Sequence, residues 1–200
     1  MSPSYTKRTA RRCVSRMQES GFTPRSILNV GMSKAPELVI WRELYPNVPV
    51  VGIDPVAWNT RDNVHYIRAI ATNGTTPSAQ YCTVCKSPVC LNPTTHKAPR
   101  WITVPTVRID DISRDLLEPP HFIWMDIEGS EIVALRGAER TLKQTAWICI
   151  ETFDWLPGHA SAIDTLLRSS GFVQRLNFTH DTLYERVQAP SGQRPSDGDN

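Results

Sequence analysis

Nowhere does the sequence hold an apolar run long enough to cross a bilayer, and no charged start leads into the apolar middle of a secretory signal. A soluble cytoplasmic protein is the resulting expectation. An excess of one charge is also missing. The 22 Lys and Arg against 20 Asp and Glu leave a net charge of +2, too little by itself to imply a nucleic-acid partner. The glycine pattern that cradles a pyrophosphate is absent, which ranks a dinucleotide or nucleotide-sugar enzyme last. Internal repeats are lacking too. What is present is globular: 40% hydrophobic, 21% charged, with six Trp in 200 residues, enough for one domain with a real core.

The chain is organised around residues 122–131, Phe-Ile-Trp-Met-Asp-Ile-Glu-Gly-Ser-Glu. An apolar run stops at Asp126, turns at Gly129, and restarts with Ile132, Leu135, Ala138 and Leu142 at helical spacing. This predicts a buried strand delivering Asp126 and Glu128 to a sheet edge, followed by one helix over 130–143. In open α/β sheets, ligands bind beyond the carboxyl ends of the strands, so acids at that point mark a candidate site.

Earlier in the chain, Ser26–Val30 reads as a strand ending at Gly31, and Pro36 suits the first position of a helix with Leu38, Trp41, Leu44 and Tyr45 inward. A second strand over Val48–Ile53 ends at Asp54. Strand, glycine turn, helix, strand and acid form the unit that binds an adenosine-bearing cofactor. The glycine admits close backbone approach and the acid accepts ribose hydroxyls. A plain β-α-β crossover is the competing reading, since a second glycine is missing near Ala35.

Residues 1–24 hold Lys7, Arg8, Arg11, Arg12 and Arg16 against Glu19, with Ala10, Val14 and Met17 on one face. A short amphipathic helix follows, whose basic face is either simply solvated or meets an anionic partner. Residues 71–100 read as an irregular insertion too long for a routine connection. It contains Cys82, Cys85, Cys90 and His96, spaced C-x2-C-x4-C-x5-H. Four such ligands suffice for a structural zinc; the alternative is a substrate-covering loop with free thiols. Strands at 101–104 and 106–109, a strand Ala146–Ile150 ending at Glu151, a helix over 160–170 and a hairpin of 172–177 with 182–187 complete the domain of residues 1–187. Residues 188–200 have the composition of a disordered tail.

Residues 122–142 resemble the signature of FkbM-type methyltransferases, in which an apolar strand ends in Asp-x-Glu-Gly-x-Glu and a helix with Leu-x-Gly-Ala follows. Val107–Ile112, Ile148–Glu151 and Gly171-Phe172 agree in order and spacing. The resemblance implies an α/β, Rossmann-like class I methyltransferase fold, with a seven-stranded, mostly parallel sheet and a reversed last strand. It further implies S-adenosylmethionine as methyl donor and a hydroxyl oxygen as acceptor. By matching position, Asn29, Gly31 and Ser33 line the methionine side of the cofactor, Asp54 holds the ribose, Ala69 and Ile70 flank the adenine, and Asp126 lies beside the methyl. The sequence departs from the pattern where lysine is common and Trp124 stands, at the missing second glycine, and in the Cys/His insertion.

A hydroxyl acceptor benefits from a base that takes its proton. Asp126 is the first candidate, with Glu128 and Glu151 beside it; the structural reading for Glu128 and Glu131 is as helix N-terminal acids. The acceptor could be a small molecule, a glycan or a nucleic acid. The competing function is a degenerate methyltransferase fold that binds a partner through the metal loop and the basic helix.

Overall fold

The computed structural model describes residues 3–32, 35–56, 64–84, 100–115, 119–153 and 155–187. Its main sheet is built from β1 (Ile27–Val30), β2 (Val50–Asp54), β3 (Val64–Arg68), β7 (Phe122–Met125), β8 (Trp147–Glu151), β9 (Phe172–Asn177) and β10 (Asp181–Arg186), in the order β3-β2-β1-β7-β8-β10-β9. The strands run parallel except β10, which is antiparallel to both β8 and β9. This is the seven-stranded, mostly parallel sheet expected of a class I methyltransferase. β1, β2, β7 and β8 are buried at every residue. Unbroken apolar runs do this because helices cover both faces of a parallel sheet.

One face is covered by α1 (Pro3–Glu19) and α2 (Pro36–Leu44). Ala10, Cys13, Val14 and Met17 of α1 pack there with Trp41, Phe122, Trp124 and Trp147. The Trp at 124 has a packing reason: its ring meets that of Trp41 edge-on at 5.6 Å and is 1% exposed, in a layer that gives an ammonium no partner. The other face carries α3 (Ile109–Asp115), α4 (Glu131–Arg136), α5 (Glu139–Leu142) and α6 (His159–Ser169), over a core of Leu28, Ile123, Met125, Leu135, Ile163 and Leu167.

Two elements differ from the sequence reading. The single helix over 130–143 is two, interrupted at Gly137-Ala138. The break frees the first amides of α5 for the carboxylate of Asp110, which accepts from Arg140 N at 3.0 Å, Thr141 N at 2.8 Å and Thr141 Oγ1 at 2.9 Å. Periodicity survived the break because Ala138 and Leu142 stay in the core. The segment after Ala71 is not wholly irregular. Ser78–Cys82 forms β5, antiparallel to β6 (Trp101–Val107), which pairs in turn with β4 (Ile70–Ala71). The two strands read at 101–104 and 106–109 are thus one, and Ile109 already belongs to α3.

Candidate active site

The parallel register brings the carboxyl ends of β1, β2 and β7 together: Gly31 N donates to Ile53 O at 2.8 Å and Asp126 N to Val30 O at 2.9 Å. Beyond them opens a cavity of about 390 Å³. Gly31, Asp54, Ala69, Ile70, Asp126 and Glu128 line it. Gly31 is required here. Its φ is 85°, and a Cβ would run into the backbone carbonyl oxygen of Asp126. Ala35, where a second glycine was missing, still takes the left-handed conformation, φ 42°. The loop therefore keeps a backbone shape that glycine favours.

Asp54 is held by the loop it faces. Its Oδ2 accepts from Met32 N and its Oδ1 from Val56 N, both at 2.8 Å.

Asn29 and Glu151 lie one layer behind the cavity rather than on it. The Asn29 amide Nδ2 donates to Glu37 Oε1 at 2.7 Å, and Glu37 is the group that lines the cavity. Glu37 was missed by sequence reading because an acid in the first turn of a helix reads as a dipole partner. It is only 2% exposed, and burial pushes its carboxyl up to about 7 despite the Asn29 hydrogen bond. Glu151 is 3% exposed, and its carboxyl feels the charge of Asp126. Two buried carboxyls that interact in this way do not both ionise readily. Burial, then the charge of Glu128, raises Asp126 to about 8, and burial with the charge of Asp126 raises Glu151 further. Asp181 stands opposite Glu151 across the β8–β10 register and is raised to about 6 by burial. Nothing in its local sequence marks it, since it opens a hairpin strand.

Glu131 has a structural task. Its Oε1 accepts from Ile127 N at 3.0 Å and Gly129 N at 3.3 Å, fixing the turn that carries Glu128 at φ 54°. Its Oε2 meets His159 Nε2 at 3.0 Å. His159 Nδ1 accepts from Phe153 N at 3.3 Å, so Nε2 carries the hydrogen toward Glu131.

Among the described residues no group of three or more His, Cys, Asp or Glu gathers as a metal site. Cys82 is buried at the end of β5. Ser33, Cys85, Cys90 and His96 lie outside the described residues. No helix among the described residues is long and apolar enough to cross a membrane.

The ionisable side chains described on the cavity wall are four acids and Tyr81. Such a wall suits a cationic ligand with a polar ribose end. Gly31 opens room for close approach, and Ala69 and Ile70 offer an apolar wall. These features fit S-adenosylmethionine, with its sulfonium, ammonium, ribose and adenine.

Comparison with known proteins finds the same fold elsewhere. Methyltransferase FkbM from Methylobacillus flagellatus KT shares the fold at 18% identity and a TM-score of 0.50, over 83% of this chain and 45% of that one. The MycE methyltransferase of the mycinamycin biosynthetic pathway, solved with Mg and S-adenosylhomocysteine, superposes with a TM-score of 0.53 at 12% identity, over 98% of this chain and 51% of its own. The chain thus spans about half the length of each. No curated protein matches the sequence. Residues 38–173 match the family model of the methyltransferase FkbM domain. The chain belongs to the FkbM methyltransferase domain family.

Proposed function

We propose that this chain is an S-adenosylmethionine-dependent methyltransferase that transfers a methyl group to a hydroxyl oxygen. The observation that carries the reading is the convergence of Gly31, Asp54, Ala69, Ile70 and Asp126 on one cavity. The cofactor supplies a methyl group activated on a sulfonium. Asp54 accepts hydrogen bonds from the ribose hydroxyls, and Ala69 and Ile70 flank the adenine. Glu37, oriented by Asn29, faces the ammonium of the methionine part. Asp126 takes the proton of the acceptor hydroxyl as its oxygen attacks, a role that its raised proton affinity suits. Glu128 adds negative charge beside the methyl. Positioning supplies most of the rest, because displacement at a methyl carbon needs little more than two reactants held in line.

The acceptor class left by the site is a hydroxyl on a small molecule, a glycan or a nucleic acid. The spacing of Cys82, Cys85, Cys90 and His96 supports a zinc staple over residues 71–100. Elemental analysis tests it, and less than about half an equivalent of zinc in fresh protein removes it.

Calorimetric titration with S-adenosylhomocysteine tests the cofactor reading. Micromolar binding is expected, weakened at least ~10-fold by Asp54→Ala, the loss of hydrogen bonds to a charged group. Absence of binding to folded protein would leave the degenerate binding module as the better reading.

A further inference from the structure

The basic face of α1 is placed at the mouth of the cavity. Pro3 and Thr6 of its first turn line the wall that also holds Asp126, and Lys7 follows directly. Two of the five cations on the helix are engaged within the protein, Arg11 with Glu43 at 2.5 Å and Arg16 with Glu19 at 3.2 Å. Lys7, Arg8 and Arg12 are exposed and form no ion pair with a described carboxylate. The guanidinium of Arg8 lies 5.8 Å from the ring centroid of Tyr5, and that of Arg12 4.8 Å from Phe178. A guanidinium stacked on a ring keeps its N–H edge for an anion and its other face for a second planar group.

Three observations narrow what this face meets. The apolar side of α1 is already spent: Ala10, Cys13, Val14 and Met17 are at most 1% exposed, which leaves no hydrophobic face to enter a bilayer. These cations span two turns, Lys7 and Arg8 on one and Arg12 about 6 Å further along the axis from Arg8, and so meet more than one anion rather than a single one. The cavity beyond is walled by Glu37, Asp54, Asp126 and Glu128, which repel an anion but accept a neutral hydroxyl. The ligand is therefore anionic along its backbone, neutral at the reacting group, and carries planar groups that stack on Arg.

We propose that the acceptor is single-stranded RNA, its phosphates lying along Lys7, Arg8 and Arg12 and a ribose hydroxyl entering the cavity at Asp126. The inference rests on the methyltransferase reading above. The ribose oxygen bonds to the methyl carbon, the carbon–sulfur bond of the donor breaks with its electron pair staying on sulfur, and the hydroxyl proton passes to Asp126. A single strand fits because the hydroxyl must be brought past the end of a helix, and unstacked nucleotides can be splayed to do so.

The test is fluorescence anisotropy with a labelled single-stranded RNA of roughly 20 nucleotides, enough to span a site of this kind. Binding should weaken steeply between about 50 and 200 mM salt. The triple variant K7E/R8E/R12E should bind at least ~10-fold more weakly and lose about 2 from the log–log salt slope, three phosphates at about 0.7 each. Calorimetry with S-adenosylhomocysteine runs in parallel, and the triple variant should match wild type. Loss of that binding in wild type would sink the methyltransferase reading itself, separately from the RNA result. K7E/R8E, which leaves Arg12 on Phe178, serves if the triple variant does not fold. Tritiated methyl should enter RNA and not DNA of the same sequence. No salt-dependent RNA binding by wild type, equal binding by the variants, labelling of DNA, or stronger competition by a sulfated glycan would each overturn the proposal.

Discussion

Asp126 and Glu37 are carboxyls that burial makes reluctant to ionise, and both face a cavity suited to a cation. A bound cation favours their charged forms, so binding and deprotonation are linked. Affinity for S-adenosylmethionine should therefore rise as pH passes from about 6 through about 8, the value to which Asp126 is raised. Asp126→Asn should flatten that rise and abolish turnover while leaving the fold intact; calorimetry across pH and a methyl-transfer assay check the two arms. For Glu37→Gln, the affinity of S-adenosylhomocysteine should fall roughly 10-fold, the worth of one charged hydrogen bond. Methylthioadenosine, which lacks the ammonium, should bind the variant as it binds wild type. An equal loss for both ligands would make Glu37 a structural residue only.

At the level of elements, the loop between β7 and α4 depends on one buried acid. Glu131, 0% exposed, holds two turn amides with one oxygen and His159 of α6 with the other. Glu131→Ala would strand these donors without partners, at a cost of about 3 kcal/mol. A lowered urea midpoint with an unchanged slope is the expected reading. Asp110 does comparable work at the break between α4 and α5. Burial alone would raise its carboxyl, but hydrogen bonds from Thr141 and Arg140 outweigh that and hold it below the usual range. The break itself was invisible to periodicity, because a helical hydrophobic pattern does not record where amides turn to a distant carboxylate. β5 was missed for a related reason. Ser78, Gln80 and Ala79 carry little β-signal until they lie beside β6.

Across the whole molecule, acids buried at one sheet edge set the pH dependence of stability. Asp126, Glu37 and Asp181 are raised to about 8, 7 and 6 from unfolded values of 3.8, 4.5 and 3.8. Between those limits the folded state holds protons that the unfolded chain has released. Their contribution is fully present below about pH 4 and is lost progressively as pH rises from there through about 8. Tm should thus fall between about pH 5 and pH 8.5, with Glu37 alone contributing on the order of 3 kcal/mol. Glu37→Gln should reduce the slope, and a saturating cationic ligand should reduce it further. A Tm that climbs over this window would contradict the burial of these groups.

The sequence by itself determined the sheet, because unbroken apolar runs ending on Gly31, Asp54, Asp126 and Glu151 can only be strands buried on both faces. It also marked Gly31, Asp54 and Asp126 at the cavity, since a strand end is where a parallel sheet presents ligand-binding groups. Only the tertiary structure decided which further acids line that site or lie buried behind it. Glu37 sits in a helix turn and Asp181 in a hairpin, and neither position differs locally from an exposed one. Burial, and the raised proton affinity that follows from it, arises only when α2 and β10 close on the strand ends. The same closure sends Asn29 and Glu151 into the layer behind and turns a modest net charge into a basic helix at the rim of an acidic cavity.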